Sequence, residues 1–134
     1  MDIANKLFSK AQKSRQNAYA PYSKFKVGAA IYADDLQIYT GCNVENISYP
    51  CGTCAEAGAI SAMIASGGKS IIEILIIAEG SQLITPCGAC LQRISEFSNE
   101  ETLIHLANSN GIQKTLRIQD LLPYKFNEQD LKND

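Results

Sequence analysis

Hydrophobic residues recur every three or four positions near the start of the chain, and this spacing predicts a helix from Ile3 to about Ala18. Two stretches rich in β-branched and aromatic residues follow, FKVGAAIYA (25–33) and QIYTGCNV (37–44). They predict two strands that are joined by a turn at DDL. The chain is therefore expected to begin with a helix and a pair of strands.

The second half of the chain alternates helices with strands. A mostly apolar helix is predicted from Ala55 to Ser66, where two glycines end it, and another from about Gly88 to Phe97. Between them, the β-branched run SIIEILIIA (70–78) is typical of a central strand that is buried on both faces. Two more strands are predicted at TLIHLAN (102–108) and IQKTLRI (112–118), before a short helical turn and a tail.

This order of elements predicts an α/β protein. One mixed sheet of about five strands should carry helices on both faces, as a three-layer α/β/α sandwich. The sequence has no compositional break that would mark a domain boundary. Residues 1–134 are therefore expected to form a single domain.

Composition and charge narrow the class of protein. Hydrophobic residues make up 46% of the chain and charged residues 19%, as in ordinary globular proteins. A net charge of -2 without a basic cluster argues against a nucleic acid polymer as partner. No apolar stretch is long enough to span a membrane, and the charged start of the chain does not fit a secretory signal. A cytoplasmic protein is expected, in which five cysteines are metal ligands or free thiols rather than disulfides.

Two short motifs, PCGTC (50–54) and PCGAC (86–90), repeat one pattern of cysteines. Each motif lies where a loop is predicted to enter a helix. The N-terminus of a helix carries a partial positive charge, which lowers the pKa of thiols and favours thiolates. Two cysteines three residues apart at a helix start can face one metal ion, and zinc is the metal that such ligands favour.

The number of cysteine ligands decides what kind of zinc site this is. If Cys51, Cys54, Cys87 and Cys90 all bind, the ion is saturated and only structural; without Cys51, a fourth position remains for water and the site is catalytic. Spacing alone leaves both possibilities open. Glu56 favours the catalytic one, because a carboxylate at a buried helix start is costly unless it handles a proton. An acid in the first turn of a helix is also favourable without any catalytic role.

The segments CAE (54–56) and PCGAC (86–90) resemble the signature of the cytidine deaminase family, in its small form with three cysteine ligands. The flanking segments AYAPYSKFKVGAA (18–30), GCNVEN (41–46) and LLPYKF (121–126) are similar to other landmarks of that family. The resemblance implies hydrolytic deamination of cytidine and deoxycytidine to uridine and deoxyuridine, with water and a nucleoside as the small-molecule substrates.

The resemblance also implies the roles of individual residues. Those that bind Zn²⁺ are Cys54, Cys87 and Cys90, and Glu56 is the residue that moves protons. The implied substrate contacts are the backbone at Ala55, the ring of Phe25 near the base, and Asn43 and Glu45 at the sugar hydroxyls. The small members of the family are homotetramers, and Phe126 is implied to reach into a neighbouring subunit's site.

The chain departs from the family pattern at two positions. Many small cytidine deaminases have arginines where this chain has Ala57 and Leu91. Three thiolates on Zn²⁺ leave a negative site, which opposes the ionisation of bound water. Arg93 lies one turn after Cys90 and is a candidate to offset that charge, although a solvent-facing arginine is an equal possibility.

Three other functions stay open at this point. One is a deaminase of a cytosine-bearing antibiotic of the blasticidin S type, and another is a deaminase of polynucleotides. The last is a non-catalytic interaction module stabilised by a four-cysteine zinc site, which would require Cys51 as a ligand.

Overall fold

A computed structural model describes residues 2–132, and its elements follow the predicted order. The strands are β1 (Val27–Ala33), β2 (Ile38–Cys42), β3 (Ile71–Ala78), β4 (Leu103–Asn108) and β5 (Gly111–Leu116). The α-helices are α1 (Ile3–Gln16), α2 (Ala55–Ala65), α3 (Gly88–Glu96), α4 (Ile118–Leu121) and α5 (Glu128–Lys132). A single 3-10 turn at Tyr49–Cys51 and the final helix α5 were not predicted.

The five strands form one sheet in the order β2-β1-β3-β4-β5. The pair β3 and β4 is parallel, and the other three pairs are antiparallel. The sheet is therefore mixed, as predicted. The strand β3 lies at its centre. Its last five residues, 74–78, are all buried, as predicted for a strand covered on both faces, whereas Ile72 near its start is exposed.

Helices cover both faces of the sheet. On one face, Leu7 and Ala11 of α1 pack against Leu75 and Ile77 of β3. On the other face, α2 and α3 pack against the opposite sides of the strands in one apolar cluster that includes Ile31, Met63 and Ile94. The three-layer α/β/α prediction is confirmed. No helix between residues 2 and 132 is both long and apolar enough to cross a bilayer.

Two glycines let the helices approach the sheet closely. A Cβ atom at Gly41 of β2 would lie 2.3 Å from the carbonyl oxygen of Ala55 and 2.5 Å from the nitrogen of Ala59, both in α2. On the opposite face, a Cβ atom at Gly28 of β1 would lie 2.2 Å from the carbonyl oxygen of Ala11 in α1. Only glycine fits at these positions, so Gly41 fixes how near the first turn of α2 lies to the sheet.

Two polar side chains add hydrogen bonds between neighbouring segments of the sheet. Asp34 follows β1, and its Oδ1 accepts the N–H groups of Lys69 and Ser70 at 2.8 and 3.1 Å, just before β3 begins. His105 of β4 is buried, with its ring nitrogens 2.8 Å from Thr115 Oγ1 and 2.7 Å from Glu73 Oε1. This histidine is a packed residue of the sheet, as its isolation in the sequence indicates.

Candidate active site

Three cysteine sulfurs meet where the first turns of α2 and α3 come together. Cys54 is the N-cap of α2, Cys87 is the N-cap of α3, and Cys90 lies in the first turn of α3. Their sulfur atoms all lie within 4.8 Å of one another, the one such group of potential ligands among residues 2–132. Cys51 is not part of this cluster; it is exposed, and its sulfur lies 3.6 Å from the hydroxyl of Ser48.

The cluster fits a tetrahedral zinc ion with three protein ligands. Zn–S bonds of about 2.3 Å place the sulfurs of such a site about 3.8 Å apart, which the arrangement here accommodates. Three thiolates leave the fourth position for water or substrate, which is the pattern of a catalytic site. A four-cysteine site would need the sulfur of Cys51, which the structure holds outside the cluster.

Glu56 lies beside this cluster in the first turn of α2 and is 5% exposed. Burial raises the pKa of its carboxyl above the ordinary value, because the charged form loses hydration. A carboxyl group with a raised pKa is better suited to proton transfer than an exposed one. The structure therefore places a buried carboxyl group at the same cavity as the three cysteines.

The pKa values of the three thiols agree only in part with the prediction that both helix starts favour thiolates. At Cys87 the prediction is correct, because the backbone N–H of Cys90 lowers the pKa of that thiol. At Cys54 it is wrong, because burial raises the pKa of the thiol. Burial, followed by the charge of Glu56, also raises the pKa of the Cys90 thiol. Burial thus favours the neutral thiol at two of the three sulfurs, and a bound metal cation favours the thiolate.

Arg93 is the basic side chain that contacts the cluster. Its Nη1 lies 3.6 Å from the sulfur of Cys90, within hydrogen-bonding range for sulfur. Leu91, where many relatives are expected to have an arginine, is 8% exposed and packs in the apolar core between the helices and the sheet. The positive charge therefore reaches the sulfur from one turn further along α3.

A cavity of about 370 Å³ opens in front of the cysteines, which is within the size range of small-molecule sites. Four of the residues that the sequence analysis expects at the substrate line it, namely Phe25, Asn43, Glu45 and Ala55. Among residues 2–132, Phe126 is not one of those that line this cavity. Its side chain is exposed, and its carbonyl oxygen accepts a hydrogen bond from the side chain of Gln92 at 2.8 Å.

Sequence reasoning missed several residues of the cavity wall. They include Tyr49, Thr53, Ile84 and Pro86, which come from the loops before α2 and α3. The signal that could have found them is their position next to the two cysteine motifs, because the loop that carries a ligand to a helix start must also line the site. Tyr49 and Ile84 are exposed apolar side chains at the cavity.

Asn43 and Glu45 also hold the loop between α1 and β1. The amide of Asn43 donates to the carbonyl oxygen of Phe25 and accepts from the N–H of Val27, both at 2.8 Å. Glu45 Oε1 accepts the N–H groups of Tyr22 and Ser23, both at 3.1 Å. These contacts fix the backbone on either side of Phe25 and so place its ring at the cavity.

Residues 1–106 match the model of the cytidine and deoxycytidylate deaminase zinc-binding region. The chain belongs to the cytidine and deoxycytidylate deaminase family. Membership of this zinc-binding family and the chemistry of the three sulfurs together identify the cofactor as Zn²⁺.

Cytidine deaminases from several bacteria are similar to almost the whole chain. A cytidine deaminase of Sporosarcina psychrophila is 40% identical over 131 residues, which cover 98% of this chain and 96% of the relative. A crystal structure of cytidine deaminase from Burkholderia pseudomallei covers 94% of this chain and 100% of its own, with a TM-score of 0.87 and 38% identity. That of Mycobacterium tuberculosis covers 95% and 99%, with a TM-score of 0.79 and 35% identity.

Proposed function

We propose that the protein is a deaminase enzyme that hydrolyses cytidine and deoxycytidine, with zinc as cofactor, to uridine and deoxyuridine plus ammonia. The observation that carries this proposal is the set of three cysteine sulfurs within 4.8 Å of one another at one end of a cavity that buried Glu56 also lines. Relatives that bear the name cytidine deaminase match nearly the full chain at 34–40% identity.

The reaction needs a proton acceptor and donor at one place. Zinc, bound by Cys54, Cys87 and Cys90, supplies a Lewis acid that activates water. Glu56 takes a proton from the water and gives it to N3 of the cytosine ring, which makes C4 electrophilic. The water oxygen bonds to C4. Glu56 then takes the second proton from the hydroxyl group now on C4 and gives it to the amino group, so that the C4–N bond breaks, the C4=O bond of the product forms and ammonia leaves. Its raised pKa suits both directions of transfer.

The remaining cavity residues are proposed to hold the nucleoside. The ring of Phe25 packs on the base, the backbone at Ala55 contacts its polar edge, and Asn43 and Glu45 bind sugar hydroxyls. All four residues line the same cavity as Glu56. A carboxylate accepts hydrogen bonds only, so Glu45 suits a hydroxyl donor.

Arg93 is proposed to balance the charge of the three thiolates. Its contact of 3.6 Å with the sulfur of Cys90 supports this role, because a guanidinium near a thiolate reduces the electron density that the sulfur gives to the metal. The role replaces that of the arginines expected at positions 57 and 91, which are Ala57 and Leu91 in this chain.

We further propose that residues 1–134 act as one catalytic domain, which works in the cytoplasm in pyrimidine salvage. The proposed assembly is a homotetramer, in which Phe126 of each subunit completes the site of a neighbouring subunit. Exposed aromatic side chains near the cavity and in the tail support an assembly: Tyr49 is 74% exposed, Tyr124 97% and Phe126 58%. The mass in solution, measured by sedimentation, tests the assembly against the chain mass of 14.6 kDa.

The alternative functions have less support. A four-cysteine module needs Cys51 in the cluster, and its sulfur lies outside it. The antibiotic deaminase would use the same zinc and Glu56, but the named relatives are cytidine deaminases. A polynucleotide substrate fits poorly with a net charge of -2.

The test follows the ultraviolet absorbance of cytidine as it meets the purified zinc-loaded protein. We expect conversion to uridine that is lost in Glu56→Gln, which keeps the size of the side chain but not its acid. Glu96→Gln at the exposed end of α3 is the matched control and should retain activity. A folded, zinc-loaded protein that leaves cytidine and deoxycytidine unchanged would contradict the proposal.

A further inference from the structure

We propose that Ser23 is a positioning residue for substrate binding, which orients the carboxylate of Glu45 towards a hydroxyl of the nucleoside's sugar. This inference rests on the proposed function, because it gives a specific contact to the substrate class proposed above. Ser23 takes no part in zinc binding or proton transfer; it lines a second cavity of about 360 Å³, which shares Glu45 with the cavity at the cysteines.

The hydroxyl of Ser23 joins two parts of the site. Its Oγ donates a hydrogen bond to Glu45 Oε2 and accepts one from the backbone N–H of Phe25 at 3.0 Å. A hydroxyl has a single proton to donate. Since the N–H of Phe25 already points at the oxygen, the proton of Ser23 is directed to the carboxylate, and Oε2 is held in one place.

The carboxylate of Glu45 accepts three hydrogen bonds within the protein and can accept one more. An ionised carboxylate accepts about four hydrogen bonds, two on each oxygen. Oε1 accepts the N–H groups of Tyr22 and Ser23, and Oε2 accepts the hydroxyl of Ser23. The remaining acceptor site is therefore on Oε2, the oxygen that Ser23 holds. Glu45 lines the cavity, so a ligand hydroxyl is a suitable donor for that site.

The local backbone supports a dedicated role for this serine. Lys24, between Ser23 and Phe25, has a φ of 61°, a left-handed conformation that is unfavourable for a residue with a side chain. The hydrogen bond from the N–H of Phe25 to Ser23 Oγ spans this residue and helps to keep the turn in place. The hydroxyl of Ser23 is also the largest cause of the lowered pKa of Glu45, because its hydrogen bond favours the ionised carboxylate.

The test compares two substrates in Ser23→Ala. Cytidine carries the sugar hydroxyls that Glu45 can bind, and 2′,3′-dideoxycytidine lacks both of those on the ring. We expect KM for cytidine to rise about tenfold, the effect of losing one hydrogen bond that involves a charged group, with kcat within about twofold. KM for the dideoxynucleoside should change less than about twofold, because that substrate cannot use the contact.

Two further variants separate this role from a general loss of structure. Ser23→Thr retains a hydroxyl and should restore most of the affinity for cytidine. Ser98→Ala removes a different serine hydrogen bond, of 2.6 Å to the carbonyl oxygen of Ile94, and should leave both KM values unchanged. An equal rise of KM for the two nucleosides, or no rise for cytidine, would overturn the inference and leave the proposed function intact. A wild-type protein that neither binds nor deaminates either nucleoside would overturn both.

Discussion

Replacing Gly41 with alanine would push a methyl group into the part of the backbone that carries Glu56. The new Cβ would lie 2.3 Å from the carbonyl oxygen of Ala55 and 2.5 Å from the nitrogen of Ala59, whereas ordinary Cβ contacts lie at 3.4 Å or more. Both atoms belong to a helix backbone, so no side-chain rotation can relieve the clash. The start of α2 must therefore move away from β2 by about 1 Å.

This displacement should affect the chemistry more than the stability. Overpacking of this kind costs about 1–3 kcal/mol of the free energy of unfolding, which lowers the melting temperature by several degrees. A shift of about 1 Å in a catalytic group costs about 100-fold in rate. Because Cys54 and Glu56 both lie at the moving end of α2, we expect kcat/KM of Gly41→Ala to fall by about that factor and zinc to bind more weakly.

Two other glycines serve as matched controls. Gly28→Ala creates a similar clash, 2.2 Å from the carbonyl oxygen of Ala11, but on the opposite face of the sheet. It should lower the melting temperature to a similar extent and keep zinc content and kcat/KM near those of the wild type. Gly58→Ala places its Cβ 3.6 Å from Gly41 Cα, an ordinary contact inside α2, and should raise stability by about 0.5–1 kcal/mol.

The assay measures zinc per chain and kcat/KM for cytidine at a temperature where circular dichroism shows each variant to be folded. A folded Gly41→Ala protein with wild-type zinc affinity and rate would refute the reasoning. So would an equal loss of rate in Gly28→Ala, because the effect would then come from lowered stability and not from the position of α2.

Three other predictions concern single side chains. Arg93→Ala should weaken zinc affinity by about tenfold in competition with a chelator, and an unchanged affinity would contradict its contact with sulfur. Cys51→Ala should keep one zinc per chain, whereas loss of the metal would indicate a four-cysteine site. The N–H of Lys69 is the main cause of the lowered pKa of Asp34, so this carboxylate stabilises the fold above its ordinary pKa of 3.8. Denaturation of Asp34→Ala should therefore show a stability deficit at neutral pH that disappears as the pH falls through the lowered pKa, and a deficit that persists in acid would argue against this cause.

The sequence predicted the order of helices and strands because hydrophobic spacing reports which face of each element is buried. It predicted the ends of the strands less well, as β1 illustrates. The segment 25–33 was expected to be extended throughout, but β1 begins at Val27, because the backbone of Phe25 pairs with the side chains of Ser23 and Asn43 and not with a neighbouring strand. Propensity cannot show that a distant side chain will replace a strand as hydrogen-bond partner.

The last helix, α5, was not predicted because its segment has no hydrophobic periodicity. The sequence predicts a short helical turn at QDLLPYKF (119–126) and only a tail after it, yet α5 runs from Glu128 to Lys132. The N–H of Asn127 donates to Asp130 Oδ2 at 2.8 Å, a pairing of residues three apart that marks a helix start. The spacing of these two residues in NEQD was available in the sequence, but the segment lacks the apolar period that supports a helix prediction.

In the candidate site, too, the sequence predicted some properties and not others. The ligand types and the acid were visible as a local motif, since Cys54 and Glu56 are two residues apart. The pKa of the Cys54 thiol was not, because it depends on how deeply the helix start is buried against the sheet, and that burial raises it. A sequence motif predicts which side chains form the site, whereas the burial of those side chains in the fold shifts their pKa values.

The three sulfurs come from two separate segments, Cys54 at the start of α2 and the pair Cys87 and Cys90 at the start of α3. A bound ion therefore works as a cross-link between two helices on the same face of the sheet, and it also anchors one end of the exposed residues 79–85 that lead into Cys87. Binding to the folded state alone adds a stability that grows with the free metal concentration. The lifetime of this protein in the presence of proteases should consequently follow the zinc supply, with residues 79–85 as the first place where a metal-depleted chain is cut.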